Sequence, residues 1–468
     1  MANTRIRFCA FPSVVPAGKR STVTIFPCDL SRRFREDLSY EVGIIGLSDD
    51  MLSYYNKLPL DLPYAVKDGT LQVEYEFSRE QEYEISFCVK GEKPQKISVY
   101  ALEEDLYACR PLKGDLHTHS YYSDGSDGVA MVAANYREQG FDFFALTDHN
   151  RMFPSHFTRK NWEGVKLGIH IMAGEEVHTP GSLLHIVNVG AKESVCEKYI
   201  RDPEGYARAV DQIEKELPHI PETYRRRVAM AHWACREIRA AEGLAILAHP
   251  YWKPYKYNLS DDFCDYLFGE KMFCAFELMG GVASRSCNLQ LALWQKQQLK
   301  GRNLPVVGSS DSHNHSFDGT SFGRRFTVVF SRDNTTEAIL DAIRHGYSVA
   351  GELPFSDDKD VRFYGDLRLV CFAHFLFNNY FDKTLELCKA EGSLMQRYAA
   401  GEAVGELLSS LAPSVENFYK KFYGHTPAPT LSMERKAYLD SLLEAQRSSG
   451  IATKGSQLDL YPGRGFRD

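Results

Sequence analysis

Apolar and polar residues alternate with a period of two in the first part of the chain. Residues 71–77, 83–89 and 97–102 each show this alternation, and residues 90–94 form a polar break with glycine and proline. This pattern is typical of strands with one buried and one wet face. It predicts a β-sandwich-like domain over residues 1–110. No reactive side chains cluster there, so we expect a structural or oligomerisation role, with substrate shaping as the alternative.

The pattern changes over residues 111–350. Short runs of aromatic, β-branched or aliphatic residues, such as 141–147 and 244–247, alternate with stretches that predict helices. One predicted helix covers residues 129–139 and is followed by Gly140, a common helix end. Alternating strands and helices favour an α/β fold, and we expect a barrel of parallel strands.

Two further regions predict helices without strands. Residues at about 191–243 are rich in Glu, Arg, Ala and Gln, and are expected to form a helical insertion that is either a lid or an inert excursion. Residues 351–468 are expected to form a helical C-terminal region whose end, from about residue 448, is a mobile tail. The apolar run 369–377 is too short to span a bilayer and predicts a buried helix.

Composition narrows the class of protein. With 468 residues the chain exceeds one ordinary hydrophobic core, so two or three domains are expected. The formal net charge of -7 gives no support to a stable nucleic-acid partner. The first residues lack a secretory signal pattern and the 11 cysteines form no Cys-x-x-Cys pair, which predicts a cytoplasmic protein with reduced thiols. We expect no membrane partner and leave a homo-oligomer open.

Side chains of the metal-binding kind recur in a fixed order, most of them after predicted strands. The nine candidates are His117, His119, Asp124, His149, Glu176, His185, His249, Asp311 and His313. His117 and His119 share one face of an extended segment, so both imidazoles can bind one ion. Imidazole and carboxylate without thiolate suit Mn²⁺, Fe²⁺ or Zn²⁺. The set predicts a metallohydrolase.

The motifs around these candidates resemble the PHP family, the polymerase and histidinol phosphatase superfamily of metal-dependent phosphoesterases. The similar segments are residues 114–120 (GDLHTHS) with 123–125 (SDG), 146–150 (LTDHN), 248–250 (AHP) and 308–313 (GSSDSH). The resemblance covers about residues 111–350. It implies a distorted (β/α)7 barrel that holds two or three divalent metal ions.

The resemblance also implies which side chains share an ion. It assigns one ion to His117, His119, Glu176 and Asp311. Glu176 would bridge to a second ion held by His185 and His249. A third ion is assigned to Asp124, His149 and His313, with Asp124 standing where other members carry His.

Two of these assignments have a close competitor in the sequence. Glu176 is preferred to Glu175 because the family motif reads Gly-x-Glu followed by a β-branched residue. His185 is preferred to His178 because it lies in an apolar, strand-like run, whereas His178 precedes a Thr-Pro-Gly turn.

The chemistry that the resemblance implies is hydrolysis of a phosphate ester by attack of a metal-bound hydroxide. Asp148 would orient His149 or accept a proton, and the first role is favoured. Arg324 and Arg325 are candidate clamps for phosphate oxygens, followed by Arg151.

We expect the substrate to be a phosphorylated small molecule or a nucleotide, most simply a phosphomonoester. An exonuclease on short oligonucleotides is the first alternative, for which residues 224–227 (YRRR) with Trp233 and Trp252 could supply a basic, aromatic approach. A histidinol-phosphatase-like enzyme and a non-catalytic, metal-stabilised scaffold are the others.

Overall fold

The computed structural model describes residues 8–48, 60–90, 92–252, 259–280, 284–315, 322–354 and 360–448. The chain forms two compact units. The first comprises Met1–Ala108 together with Glu416–Asp468, and the second comprises Cys109–Val415. The predicted boundary at about residue 350 therefore falls inside the second unit, and the predicted C-terminal region is divided between the two.

Within the described residues of the first unit, nine strands form two sheets. They are β1 (Phe8–Phe11), β2 (Val14–Pro16), β3 (Lys19–Pro27), β4 (Tyr40–Gly46), β5 (Leu60–Asp61), β6 (Tyr64–Lys67), β7 (Thr70–Phe77), β8 (Gln81–Val89) and β9 (Gln95–Leu102). One sheet has the order β1-β3-β7-β6 and the other β2-β9-β8-β4-β5. The short helices of this part are the 3-10 turn Leu30–Arg32 and Glu104–Tyr107, and Met433–Ser448 lies near the C-terminus.

Both sheets contribute to one hydrophobic core. Val23 and Ile25 of β3 are buried in the same cluster as Ile85 and Phe87 of β8. Along β8 every second residue faces this core, so the strand predicted from the alternation of residues 83–89 is confirmed. The same cluster includes Phe8, whose ring meets Phe87 edge-on with centroids 5.0 Å apart.

The second unit contains eleven strands within its described residues. They are β10 (Arg110–Asp115), β11 (Phe143–Ala145), β12 (His170–Met172), β13 (Gly174–His178), β14 (His185–Val189), β15 (Leu244–Leu247), β16 (Ala275–Met279), β17 (Val306–Gly308), β18 (Arg325–Ser331), β19 (Ser348–Glu352) and β20 (Arg362–Tyr364). Their sheet orders are β12-β11-β10-β18-β19-β20 and β13-β14-β15-β16-β17.

Helices separate many of these strands. They are Val129–Glu138, Phe153–Asn161, Val195–Arg201, Pro203–Lys215, Glu222–Ala240, Asp261–Gly269, Ser284–Leu299, Thr336–Arg344, Leu367–Leu376, Asp382–Ala399 and Gly405–Leu411, with a π-helical turn at Phe377–Phe381. Ser414–Phe422 contains the division between the units. Three of the helices, from Val195 to Ala240, occupy the region that the sequence predicted as a helical insertion.

The strand directions correct the expectation of a wholly parallel barrel. The pairs β10–β11, β11–β12, β15–β16 and β16–β17 are parallel. In contrast, β14 runs antiparallel to both β13 and β15, and β18 runs antiparallel to β10 and β19. The connection from β13 to β14 is too short for a crossover, so the chain must turn back. As a result β14 begins at the edge where its parallel neighbours end.

A buried ion pair links two helices of the second unit. Arg137, in the helix Val129–Glu138, donates from Nε to Glu391 Oε2 at 2.7 Å, and the Arg137 side chain has no exposed surface. Glu391, in the helix Asp382–Ala399, also accepts from the backbone N–H of Gly168 at 2.5 Å. These contacts fix a helix of the C-terminal region to the strand-bearing part of the same unit.

The helix Leu367–Leu376 confirms that the longest apolar run is helical, but only one face of it is buried, since Cys371 and His374 are exposed. Leu369, Phe372 and Phe375 are among its buried side chains. Among the described helices, none combines the length and apolar character that crossing a bilayer requires.

Candidate metal centre

Four of the parallel strands have candidate ligands beyond their last residue. His117 and His119 follow β10, His149 follows β11, His249 follows β15, and Asp311 and His313 follow β17. Thr118 forms an isolated parallel bridge with Ser312, so the backbone stays extended there. His117 and His119 consequently point to one side, while Thr118 on the other side donates to Ser312 O at 3.2 Å.

Two other ligand candidates lie on strands rather than after them. Glu176 is inside β13, and His185 is the first residue of β14. Because β14 is antiparallel to its neighbours, its first residue reaches the edge at which β15 ends. These two residues therefore differ from the candidates that follow a strand, although they lie at the same edge of the sheet.

Imidazole groups converge on the carboxylate of Glu176, which has no exposed surface. The distances from a ring nitrogen to the nearer Glu176 oxygen are 3.3 Å for His117, 3.5 Å for His119, 2.7 Å for His149, 3.2 Å for His178, 2.8 Å for His185 and 3.4 Å for His249. One carboxylate cannot accept a good hydrogen bond from every one of these rings. This arrangement would suit a carboxylate that is shared between metal ions.

Asp311 adds a second carboxylate to this group. Its Oδ1 lies 3.0 Å from His119 Nε2 and 3.4 Å from His117 Nε2. Ligand atoms of His117, His119, Glu176 and Asp311 all lie within 4.8 Å of one another, and all four residues are buried. Asp311 adopts a positive φ of 51°, an uncommon conformation for a residue with a side chain, which turns its carboxylate towards the histidines.

A more open group lies next to the buried one. Asp124 Oδ1 is 3.3 Å from His149 Nε2 and 3.2 Å from His313 Nε2, and His119 belongs to the same group. The Asp124 side chain is 55% exposed and that of His313 is 35% exposed. All nine predicted ligands are thus brought together, and the Asp124 group forms the solvent-facing part.

The buried group carries polar atoms without partners. Within the described part of the chain, both Glu176 oxygens and ring nitrogens of His117, His149, His185 and His249 have no hydrogen-bond partner. Buried polar atoms normally have one. Divalent cations would satisfy them, and this donor set of imidazoles and carboxylates suits Mn²⁺, Fe²⁺ or Zn²⁺.

The electrostatics of the group favour charged carboxylates. Burial opposes ionisation of Glu176, but the neighbouring His185 and His117 hold the pKa of its carboxyl well below the ordinary value. Burial likewise opposes the ionisation of Asp311, and His117 and a hydrogen bond from His119 outweigh it, so its pKa is also well below normal. Both side chains are therefore held in the form that binds cations.

The two adjacent glutamates of β13 have different surroundings. Glu175 accepts hydrogen bonds from Asn188 Nδ2 at 2.9 Å, Ser194 Oγ at 2.6 Å and the backbone N–H of Val195 at 2.6 Å. Successive residues of a strand face opposite sides. Glu175 therefore anchors the start of the helix Val195–Arg201, whereas Glu176 faces the histidines.

The sequence-based selection left out two residues of the centre. His178 was set aside in favour of His185, yet it follows Glu176 by two positions and shares its face of β13, and it groups with Glu176 and His149. Glu277 Oε2 lies 2.8 Å from His117 Nδ1. Glu277 was detectable as the charged residue of the otherwise apolar strand Ala275–Met279, whose residues are all buried.

Gly280 leaves the space that the Glu277 carboxylate occupies. A Cβ at position 280 would lie 1.7 Å from Glu277 Oε1. A larger residue at position 280 would displace this carboxylate, so the glycine is required by the contact between Glu277 and His117.

Asp148 contacts a loop rather than its neighbour His149. Its carboxylate accepts from the backbone N–H of Ser120 at 2.8 Å, from Ser120 Oγ at 2.7 Å and from Ser123 Oγ at 2.5 Å. Burial raises the pKa of Asp148. The role favoured from sequence, orientation of His149 by this carboxylate, is not supported by these contacts, since the carboxylate instead holds the loop that carries Asp124.

The three candidate phosphate clamps differ in position. Arg151 donates to the backbone O of Tyr122 at 2.6 Å and of His149 at 3.2 Å, so it lies at the rim of the centre. Arg324 donates to Pro354 O at 3.0 Å, and Arg325 is buried 3.9 Å from Glu352. Arg151 therefore contacts His149, a residue of the ligand set.

The arginines of residues 224–227 do not form a basic surface. Arg226 pairs with Asp211 and Glu214, and Arg225 donates to Ile220 O at 2.9 Å. Arg227 donates to Ser182 O at 2.8 Å and lies 4.0 Å above the ring of Phe263. These partners stabilise the helical region. The three arginines therefore do not provide the basic surface for oligonucleotides that the sequence suggested.

Residues 115–237 match the sequence model of the PHP domain. The matched range contains His117, His119, Asp124, His149, Glu176 and His185. The remaining ligand candidates His249, Asp311 and His313 lie beyond it and are brought to the same centre by the fold.

Two characterised proteins and one solved structure are similar over part of the chain. DNA polymerase/3′-5′ exonuclease PolX of Bacillus subtilis is 33% identical over 60 residues, 13% of this chain and 10% of that protein. Phosphoribosyl 1,2-cyclic phosphate 1,2-diphosphodiesterase of Eggerthella lenta is 32% identical over 83 residues, 17% of this chain and 31% of that protein. The chain thus matches less than a third of either relative's length.

The solved structure is a two-domain protein from Bacteroides vulgatus that contains a predicted PHP-like metal-dependent phosphoesterase. It has 19% identity and a TM-score of 0.38, and the match covers 52% of this chain and 65% of that one. The family-model match and the histidine and carboxylate geometry agree: residues 115–237 are similar to the PHP domain, and the ligand groups centre on this part of the chain.

Proposed function

We propose that the chain is a metal-dependent phosphoesterase that hydrolyses a phosphate ester of a small molecule or nucleotide at a centre of two or three divalent ions. The observation that carries this proposal is the convergence of six imidazoles on the buried Glu176 carboxylate, which leaves ligand atoms without hydrogen bonds. The relatives that match parts of the chain are named as a DNA polymerase/3′-5′ exonuclease and a phosphoribosyl 1,2-cyclic phosphate 1,2-diphosphodiesterase, and these names are consistent with the proposal.

The ligand groups support three ion positions. The first is His117, His119, Glu176 and Asp311; the second is Glu176, His185 and His249; the third is His119, Asp124, His149 and His313. His178 is a further ligand candidate beside Glu176 and His149. Mn²⁺, Fe²⁺ and Zn²⁺ all suit such ligands.

Divalent ions in such a centre lower the pKa of water and neutralise charge on phosphoryl oxygens. The chain's own side chains position the ligands. The Glu277 carboxylate lies within hydrogen-bond distance of His117 Nδ1, which leaves Nε2 directed at Glu176 and Asp311. Asp148 holds Ser120 and Ser123, and with them the loop that presents Asp124.

Arg151 is the basic residue best placed to bind a phosphate oxygen, because its guanidinium is fixed between the loops that carry His119 and His149. Arg325 is the first residue of β18 and Arg324 precedes it. Arg324 donates to Pro354 O and Arg325 lies 3.9 Å from Glu352, so we rank both below Arg151 as phosphate ligands.

We also propose how the sheets of each unit are arranged. We infer that the two sheets of the second unit close into a distorted (β/α)7 barrel, because Thr327 of β18 exchanges hydrogen bonds with Gly308 of β17 at 2.7 and 3.0 Å. The shared core of the two N-terminal sheets supports a sandwich-like domain.

Hydrolysis tests the proposal directly. The Mn²⁺-loaded chain is offered phosphomonoesters, phosphodiesters and short oligonucleotides, next to His117→Ala and Asp311→Ala variants. We expect turnover of at least one ester class, with a loss of at least 100-fold in each variant because the first ion position loses a ligand. His345→Ala, a histidine on the exposed face of the helix end at residue 345, serves as the control and keeps full activity.

Each result separates the alternatives. Preference for oligonucleotides would replace the small-molecule substrate by the exonuclease hypothesis, and preference for histidinol phosphate would favour that phosphatase. Bound Mn²⁺ without turnover of any ester would contradict the enzyme and support the metal-stabilised scaffold.

A further inference from the structure

Four aromatic side chains cluster on the segments that follow His119 and His149. The rings of Tyr121 and Tyr122 stack with centroids 4.4 Å apart. Tyr122 also meets Phe153 edge-on at 5.0 Å and Phe157 at 6.1 Å. We call these four residues the aromatic rim.

Much of the aromatic rim is open to solvent. Tyr121 is 52% exposed, Phe153 is 47% exposed and Phe157 is 42% exposed. Phe153 and Phe157 are four residues apart in the helix Phe153–Asn161, so they lie on the same face of it. Large apolar side chains that are exposed as a group, rather than singly, mark a binding surface.

The aromatic rim is joined to the metal-ligand residues by short links. Tyr121 and Tyr122 come directly after Ser120, one residue beyond His119, and the backbone N–H of Tyr122 donates to Ser120 Oγ at 3.3 Å. Arg151 connects the backbone O of Tyr122 to that of His149. Within the described residues its Nη2 has no hydrogen bond, so this edge of the guanidinium remains available.

We propose that the aromatic rim binds the base of a mononucleotide whose phosphate lies at the metal-ligand centre. The inference rests on the proposed phosphoesterase function and narrows its substrate class. All four side chains of the rim are rings, and every nucleobase has a π-face that stacks on such rings. Arg151 stands between the rim and His149, where it can contact a phosphate oxygen of the same ligand.

A single nucleotide fits this surface better than a strand. Binding of a strand requires a basic path for successive phosphates. The formal net charge of the chain is -7, and Arg225, Arg226 and Arg227 are engaged by contacts within the protein. The rim therefore offers a place for one base beside one phosphate-binding centre.

The test compares substrates that share a phosphate and differ in the base. The Mn²⁺-loaded full chain is assayed for kcat/KM with adenosine 5′-monophosphate and with ribose 5-phosphate, and binding of both compounds is measured by calorimetry. We expect the nucleotide to be preferred by roughly tenfold or more. Tyr122→Leu and Phe157→Leu each reduce this ratio to near one, whereas Tyr438→Leu, which alters an exposed tyrosine on the helix Met433–Ser448, leaves it unchanged.

The outcomes separate this inference from the proposed function. Hydrolysis of both compounds with no preference, or a preference that survives both rim substitutions, would overturn the inference and leave the phosphoesterase intact. Binding that prefers the nucleotide and depends on the rim, without hydrolysis of any ester, would support the rim and contradict the enzyme. A short oligonucleotide that outcompetes the mononucleotide through the rim would overturn the choice of a single nucleotide.

Discussion

At the scale of single residues, Glu277 has a specific effect on its neighbour His117. Its carboxylate oxygen lies 2.8 Å from Nδ1, in a strand with no exposed residue. A carboxylate that accepts from the distal nitrogen of a ligating histidine fixes the tautomer and raises the basicity of the other nitrogen. Glu277 is therefore a positioning residue for the first ion position.

We expect Glu277→Gln to weaken Mn²⁺ binding by roughly 10–100-fold, because the amide keeps the shape of the side chain but removes the negative charge. Titration calorimetry on the chelator-treated protein measures this change. Glu352→Gln, a nearly buried carboxylate beside Arg325, is the matched control and should bind Mn²⁺ as the unaltered chain does. Equal affinity in the two variants would remove the positioning role.

The choice between neighbouring candidate ligands shows which ligands residue types alone can predict and which they cannot. Glu176 was distinguishable from Glu175 by the local motif, and the structure shows opposite directions for these two side chains. His178 was not recognised because a turn signal follows it, although it lies at the end of β13 on the face of Glu176. The direction of a side chain at a strand end depends on where the strand stops, which residue types alone leave open.

At the scale of secondary-structure elements, the strands were predicted more reliably than their directions. Apolar runs identified β11, β12, β15 and β17, but a run of this kind is equally compatible with parallel and antiparallel neighbours. The direction of β14 follows from its short connection to β13. The predicted Thr-Pro-Gly turn lies in this connection, but the sequence did not predict residues 174–178 as a strand before it. The partners of the arginines in residues 224–227 could likewise not be predicted from the local sequence, because they belong to other elements.

The contact between Arg137 and Glu391 gives an element-scale prediction. Glu391→Ala leaves the Arg137 guanidinium buried without its main partner, a change that costs about 3–5 kcal/mol of unfolding free energy. Urea unfolding followed by tryptophan fluorescence measures the loss. Glu386→Ala, which removes a largely exposed carboxylate of the same helix, should change the unfolding free energy by less than about 1 kcal/mol. Similar effects of both substitutions would contradict the role of the buried pair.

At the scale of the whole molecule, the first unit is assembled from both ends of the chain. The backbone N–H of Ser13 donates to Phe422 O at 2.8 Å, and Tyr107 donates from its hydroxyl to Tyr423 O at 2.9 Å. Arg33 pairs with Asp440. These long-range contacts join residues that lie between or next to the strands near the start of the chain to residues in or next to the last two described helices. The local sequence pattern did not reveal this division.

Phe422 is fully buried within this unit, so we expect Phe422→Ala to destabilise it by about 3–5 kcal/mol. Differential scanning calorimetry should show a lower Tm for the transition of this unit, while Mn²⁺ affinity stays unchanged because the ligand residues all belong to the second unit. Lys421→Ala, at the exposed neighbouring position, is the control. Loss of Mn²⁺ binding in the Phe422 variant would show that the two units depend on each other.

The discontinuous first unit also has a consequence for synthesis on the ribosome. Its strands emerge first, but Phe422 and Tyr423 follow only after roughly 300 further residues, a delay on the order of 15–60 s at roughly 5–20 residues per second. During this time the contacts of Ser13 and Tyr107 with the C-terminal residues cannot form. The first unit therefore completes these contacts only after the whole of the second unit has been synthesised.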